Sequence, residues 1–217
     1  MLEIIALQKV DYATSHQRQK TLVNELKMAS LEGIDAQDYL YLCEHPHSYT
    51  FGKSADRNHL LVNDAFLEQI DAQRFDIERG GDITYHGPGQ LVGYPILDLK
   101  RLGIGVKQYV YQLEETIIQT VKSFGIDCYR IDGQIGLWVN QKQGPPNKIA
   151  AIGIKVSQGV TMHGFALNVN TDLSYFNHIV PCGIADKGVT SISTELGESV
   201  DLDEVSKIYS DVFLDLF

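Results

Sequence analysis

The sequence predicts an α/β domain, with helices packed on a mixed and largely antiparallel sheet, and three observations point there. Strand-length runs come in pairs across two-residue turns, Asp132-Gly133 and Gln158-Gly159, which is a hairpin signature. Two stretches, one between Val106 and Phe124 and one from Leu202 to the C-terminus, repeat their apolar residues at helical spacing. Strands and helices do not alternate strictly, as a doubly wound parallel sheet would require.

Each element follows in turn. Leu2 to Val10 reads as a first strand, and Asp11 to Leu31 as a helix stopped by Gly33. Tyr39 to Cys43 is a buried strand that runs into a polar loop, EHPHSYTFGKSADRNHLL. Asn63 caps a short helix through Gln69, and Arg74 to Glu78 alternates as a strand. Leu91 to Leu99 reads as a central strand in which Pro95 predicts a bulge or an edge. Val106, Tyr109, Val110, Leu113, Ile117, Val121 and Phe124 form one helix face closed by Gly125. The hairpins Cys128–Ile131/Ile135–Val139 and Lys148–Val156/Val160–Val169 follow, then a brief helix from Leu173 to His178 capped by Asp172. Asp201 caps the last helix, which turns Leu202, Val205, Tyr209, Val212 and Leu216 one way.

A chain of 217 residues supports one core, so residues 1–217 are read as a single domain. With 44% hydrophobic and 21% charged residues and no repeat or biased tract, the composition is globular. The net charge of -10 argues against general affinity for nucleic acid or anionic membranes, and an acidic partner would need a local basic patch. No run of eighteen apolar residues is present, and the N-terminus lacks a basic n-region, so it is read as mature protein. Cys43, Cys128 and Cys182 lie far apart without a C-x-x-C, which fits a reducing cytoplasm and gives no basis for structural zinc.

The stretch RGGDITYHGPGQLVGYPILDL, beginning at Arg79, organises the rest. Gly80, Gly81, Gly87 and Gly89 admit positive φ and close approach, either as a pair of tight turns or as a site. A turn alone needs one such glycine, so the site reading is favoured. Neither G-K-[ST] nor a G-x-G-x-x-G opening a helix is present, so the loop gives no support to nucleotide binding. Cys182, between Pro181 and Gly183, is either an inert small hydrophobe or a nucleophile held in a non-helical turn. Lys148 either ends a strand in water or sets a positive charge beside that sulfur, lowering its pKa. His86 and His163 are read alike as ordinary histidines or as pocket groups, with His163 in a supporting role.

Together, the Arg79 stretch, NKIAAIGIKV, TMHGFALNVNTDLSYFNHIVPCG, and a Tyr-Thr-Phe-Gly-Lys segment near position 50 closely resemble the lipoyl(octanoyl) transferases. The resemblance implies a fold of the biotin/lipoate protein ligase catalytic-domain type. It implies octanoyl transfer from octanoyl-acyl carrier protein, through a Cys182 thioester, to a lysine of lipoyl domains in 2-oxoacid dehydrogenases and the glycine cleavage H protein. It implies no cofactor and no metal. Cys182 and Lys148 match the family's catalytic pair. The substrate pocket carries over to Arg79, Gly80, Gly81, Asp82, Ile83, Thr84, Tyr85 and His86, to Ala151, Ile152 and Gly153, and to Gly164, Phe165 and Ala166. Two positions depart from the usual pattern: Val180 stands where the family has Asn before Pro-Cys-Gly, and Asn147 where Arg often precedes the lysine. An ATP-dependent lipoate-protein ligase and a non-catalytic acyl-protein binding module are the alternatives on the same scaffold.

An eight-carbon chain calls for an apolar tunnel, for which Leu91, Val92, Ile152 and Phe165 are the expected walls. For the acidic carrier, the expected docking surface comprises Lys53, Arg57, Arg74, Lys100 and Arg101.

Overall fold

The computed structural model describes residues 2–6, 9–34, 36–180 and 188–217. Its described strands form a seven-stranded sheet and a three-stranded one. The large sheet comprises β1 (Leu2–Ala6), β2 (Asp38–Cys43), β6 (Gln90–Ile96), β7 (Cys128–Ile131), β8 (Gln134–Val139), β9 (Asn147–Ser157) and β10 (Val160–Asn168). The small one comprises β3 (Ser48–Phe51), β4 (Gln73–Asp76) and β5 (Ile83–His86). The large sheet is ordered β1-β2-β6-β10-β9-β8-β7 and the small one β4-β3-β5; among the described strand pairs only β1·β2 and β3·β4 run parallel, so the expected mixed, largely antiparallel sheet is present.

Five α-helices, α1 (Tyr12–Glu32), α2 (Asp64–Gln69), α3 (Val106–Lys122), α4 (Ile192–Leu196) and α5 (Leu202–Leu216), and two 3-10 helices, Arg57–His59 and the expected brief helix Leu173–His178 capped by Asp172, complete the described elements. Asp11 caps α1 by accepting from the Thr14 N–H at 2.9 Å, and Gly33 ends it at φ +67°. α3 and α5 cover one face of the large sheet. There Tyr109, Leu113, Ile117, Val121, Val205, Tyr209 and Phe213 pack on Leu40, Leu42, Leu91, Phe165 and Leu167. α1 sends Leu22, Val23 and Leu26 against Ile96, Val160 and Met162. None of the described helices is long and apolar enough to cross a membrane.

Several expectations need correction. The expected polar loop after Cys43 contains β3, whose four residues are all buried between β4 and β5. Its signal was missed because a strand buried on both faces shows no alternation, and its flanks, Pro46 and Gly52, read as loop. Of the two readings of the glycine stretch, the paired tight turns do not join a hairpin: β5 belongs to the small sheet and β6 to the large one, and the chain crosses between them at Gly87-Pro88-Gly89. Of the expected first strand, Leu2–Ala6 is strand and residues 9 and 10 are not, while residues 7 and 8 lie outside the described residues.

Pro95 lies in a central strand, between β2 and β10, at neither an edge nor an extra-residue bulge. The β6–β10 ladder lapses between the Phe165↔Gly93 pair and the Asp98↔Val160 bridge, with register unchanged across the gap. Thr161 mends the lapse: its hydroxyl donates to Pro95 O at 2.7 Å and accepts from the Leu97 N–H at 2.9 Å. A proline is tolerated mid-sheet because a side chain replaces the ladder it interrupts.

Candidate active site

Most of the described residues expected from three separate motifs converge on one cleft. β9 and β10 pair Ala151 with Ala166, Ile152 with Phe165 and Gly153 with Gly164, so two distant triplets are cross-strand neighbours. The glycine stretch closes the cleft from the other side. The Gly80 N–H donates to Ile154 O at 2.9 Å, while Lys53 and Ser54 N–H groups donate to Arg79 O and Gly81 O at 3.0 and 3.2 Å. A Cβ on Gly52 would stand 2.2 Å from Gly81 O, and Gly81 itself sits at φ +86°. The loop is therefore clamped from both sides by backbone that tolerates no side chain at position 52.

Arg79, Gly81, Ile83, Thr84, His86, Lys148, Ala151, Ile152, Gly153, His163, Gly164, Phe165 and Ala166 all line this cleft. Gly80 lines the adjoining groove with Gly133, Gln134 and Ile135. Asp82 and Tyr85 do not line the cleft. Asp82 instead latches the loop, accepting from the Asp56 and Ile83 N–H groups at 3.2 and 2.7 Å and pairing with His59 Nδ1. Tyr85 is buried in the small-sheet core, its hydroxyl 2.7 Å from His47 Nδ1. Period-two alternation sends it away from the face that Thr84 and His86 share.

The expected tunnel walls also change. Ile152 lines the cleft, but Leu91 and Val92 do not. Phe165 gives the cleft its main chain, because its ring stacks on Tyr209 at 4.5 Å and fills the space beside Gly93. Tyr12, Tyr94 and Ile135 complete the lining. The sequence carried no motif for them: Tyr12 reads as an ordinary first-turn helix residue, and Tyr94 as a core aromatic.

Lys148 reaches the cleft through a bulge. Leu137 pairs with Ala150 but Trp138 with Lys148, which leaves Ile149 without a partner. That extra residue puts Lys148 on the cleft with Ala151, three positions away, where regular alternation would oppose them. Its Nζ lies 4.6 Å from the centre of the Trp138 ring. Its main chain donates to Gly188 O and accepts from the Thr190 N–H, both at 2.9 Å. Cys182 lies outside the described residues.

The imidazoles at the deep end of the cleft are held neutral by burial. Burial pushes His163 down to about 3 and His86 well below the ordinary imidazole value, with neighbouring His and Arg79 charges adding to the effect. Gln90 gives its amide hydrogens to Tyr85 O and Asn168 Oδ1, so its oxygen accepts from His86 Nδ1 at 2.9 Å, leaving His86 Nε2 as the acceptor. Arg79 is itself buried, donating to Thr50 O at 2.7 Å, Thr50 Oγ1 at 3.1 Å and Gly80 O at 2.9 Å.

Of the basic residues expected to dock a carrier, Lys53, Arg57 and Arg74 surround the small sheet, with Arg57 paired to Asp76 and Arg74 to Asp64. Lys100 and Arg101 instead follow β6, where Lys100 covers Gly159 and Arg101 pairs with Asp38.

Residues 11–214 match the family described as Lipoyl protein ligase A/B catalytic domain. A protein named octanoyltransferase from Bacteroides thetaiotaomicron is 48% identical over 198 residues, covering 91% of this chain and 87% of that protein. Another of that name, from Flavobacterium johnsoniae, is 47% identical over 206 residues, covering 91% and 89%. Among solved structures, a bipartite lipoate protein ligase from Thermoplasma acidophilum superposes with TM-score 0.71 at 16% identity, covering 99% of this chain and 82% of that one. Biotin protein ligase from Aquifex aeolicus superposes with TM-score 0.54 at 14% identity, covering 98% and 69%. These likenesses establish the lipoate/biotin ligase catalytic-domain fold.

Proposed function

This chain belongs to the lipoyl protein ligase A/B catalytic-domain family, and from that premise we propose its reaction in full. It is an octanoyltransferase acting in protein lipoylation. The octanoyl group passes from the thioester of an acyl carrier protein to the Cys182 thiol, and from there to a lysine amine of a lipoyl domain.

Lys148 carries this reading. It lines the same cleft as the glycine stretch, and its main chain is bonded to Gly188 and Thr190. Cys182, six residues before Gly188 in sequence, lies outside the described residues, so its approach to Lys148 is part of the proposal. An ammonium beside a thiol favours the thiolate.

In the first step the thiolate attacks the donor carbonyl carbon, and the carrier's C–S bond breaks as its sulfur leaves with the proton of the Lys148 ammonium, which is left as a neutral amine. One thioester replaces another, so no ATP is needed. In the second step the acceptor amine attacks the Cys182 thioester. Lys148, in its neutral form, takes the proton, the sulfur leaves and an amide forms. Ile83, Ala151, Ile152 and Ala166 offer the acyl chain an apolar bed, and burying it is worth about 0.8 kcal/mol per methylene. A thiol nucleophile needs a reducing compartment, and Cys43 and Cys128 are free thiols, which fits the cytoplasm.

Intact mass after mixing with octanoyl-acyl carrier protein tests the reading. The expected product is one octanoyl adduct, removed by hydroxylamine, absent in Cys182→Ala and slow to form in Lys148→Ala. An adduct at full yield in Cys182→Ala refutes the named nucleophile. ATP–pyrophosphate exchange driven by octanoate would mark a ligase instead.

A further inference from the structure

Away from Lys148, at the α1 side of the cleft, His163 has two features that the acyl-transfer reading does not use. It holds a positive φ of 59°, uncommon for any residue other than glycine, and it is 1% exposed with neither ring nitrogen hydrogen-bonded among the described residues. Burying an imidazole without a partner is costly, and such a group calls for an explanation in what it binds. The backbone strain is maintained from α1: the His163 N–H donates to Gln19 Oε1 at 3.1 Å. Gln19 lies one helical turn after His16, so both side chains leave α1 on the same face.

His16 stacks on His163, with ring centroids 5.5 Å apart, and its Nε2 lies 3.1 Å from Glu78 Oε2. The ligand atoms of His16, Glu78 and His163 all lie within 4.8 Å of one another. We propose that these three side chains bind one divalent transition-metal cation of the zinc class, bracing α1 against β10 at the wall of the cleft.

Two imidazoles and one carboxylate are a donor set that zinc, cobalt and nickel prefer, whereas magnesium and calcium prefer oxygen. Ligand bonds of about 2.0–2.2 Å set the donor atoms of a tetrahedral site roughly 3.3 Å apart. His16 and Glu78 already meet that spacing. His163 closes the remainder by turning its side chain, and a water takes the fourth position. Glu78 keeps its other oxygen for Lys20, 3.7 Å away. Lys20, Lys155 and Arg79 raise the local potential, so the single carboxylate is indispensable to holding a cation there.

The test uses the full chain, freed of metal by chelator and titrated with Co²⁺. One equivalent is expected to give visible d–d absorption without a sulfur-to-cobalt charge-transfer band. Zn²⁺ should displace it and Mg²⁺ should not, and Co²⁺ and Zn²⁺, unlike Mg²⁺, should raise the thermal midpoint. His16→Gln and Glu78→Gln, on the more exposed side of the site, should each weaken binding about tenfold or more. His163→Asn, which tolerates positive φ, should abolish it. Circular dichroism checks that each variant is folded. A cobalt signal that never saturates, one carrying a sulfur band, or one that survives unchanged in His16→Gln and Glu78→Gln overturns the proposal.

Discussion

The Arg79 side chain occupies the space that a Cβ on residue 153 would need: that atom would stand 2.9 Å from Arg79 Cδ and 3.2 Å from Gly80 O. Gly153 thus sets how closely β9 approaches the glycine stretch, and with it the depth of the cleft. Gly153→Ala is expected to push Arg79 off Thr50 and lower kcat/KM about tenfold to a hundredfold, at a stability cost of about 1–3 kcal/mol. Steady-state kinetics beside urea melts separates the two effects; unchanged kinetics would show that the cleft yields without consequence.

Thr161 serves both polar groups exposed by the lapse at Pro95. Thr161→Val keeps the shape and leaves the buried Leu97 N–H and Pro95 C=O without this partner. Each unsatisfied group costs about 1–3 kcal/mol. Urea unfolding should show a loss of about 2–4 kcal/mol, far above an ordinary isosteric change.

Acid should destabilise the fold through its buried imidazoles. Burial holds His45 down to about 4 and His163 down to about 3. In the unfolded chain both titrate near the ordinary 6.5, so stability is full above that pH and falls as pH drops toward the folded values. Each contributes a slope of about 1.4 kcal/mol per pH unit inside its window. Urea midpoints between pH 7 and pH 4 measure the slope, and His163→Asn should make it shallower. A slope unaltered by that change would mean His163 is not buried neutral.

The two basic groups separate a docking surface from a structural one. Lys53 donates its main-chain N–H to Arg79 O, at the rim of the cleft, and Arg57 stands beside it on the small sheet. Lys53→Glu with Arg57→Glu should raise KM for the acyl carrier protein severalfold, more at low salt, with kcat unchanged. Lys100→Glu should leave KM as it was. Equal effects from both would assign the carrier to neither face in particular.

Much of this was legible in the chain itself. Periodicity and caps marked α1, α3 and α5, and paired turns marked β7–β8 and β9–β10, because those signals are local: a capping oxygen or a turn glycine acts on residues three or four positions away. The pocket residues came from motif resemblance, and most of them do meet at one cleft. What stayed hidden depends on partners distant in sequence. β3 becomes a strand only because β4 and β5 flank it, Pro95 is tolerated centrally only because Thr161 comes across from β10, and Asp82 faces His59 instead of the cleft.

The sequence by itself determined most of the elements and the family, and it named the residues proposed to carry chemistry. Only the tertiary structure decided which way each side chain faces. One unpaired residue, Ile149, turns Lys148 onto the face of Ala151, and one lapse in a ladder accompanies the positive φ of His163, whose ring nitrogens find no hydrogen-bond partner among the described residues. Facing depends on strand register, and register is settled by neighbouring strands that pair only after the chain has folded.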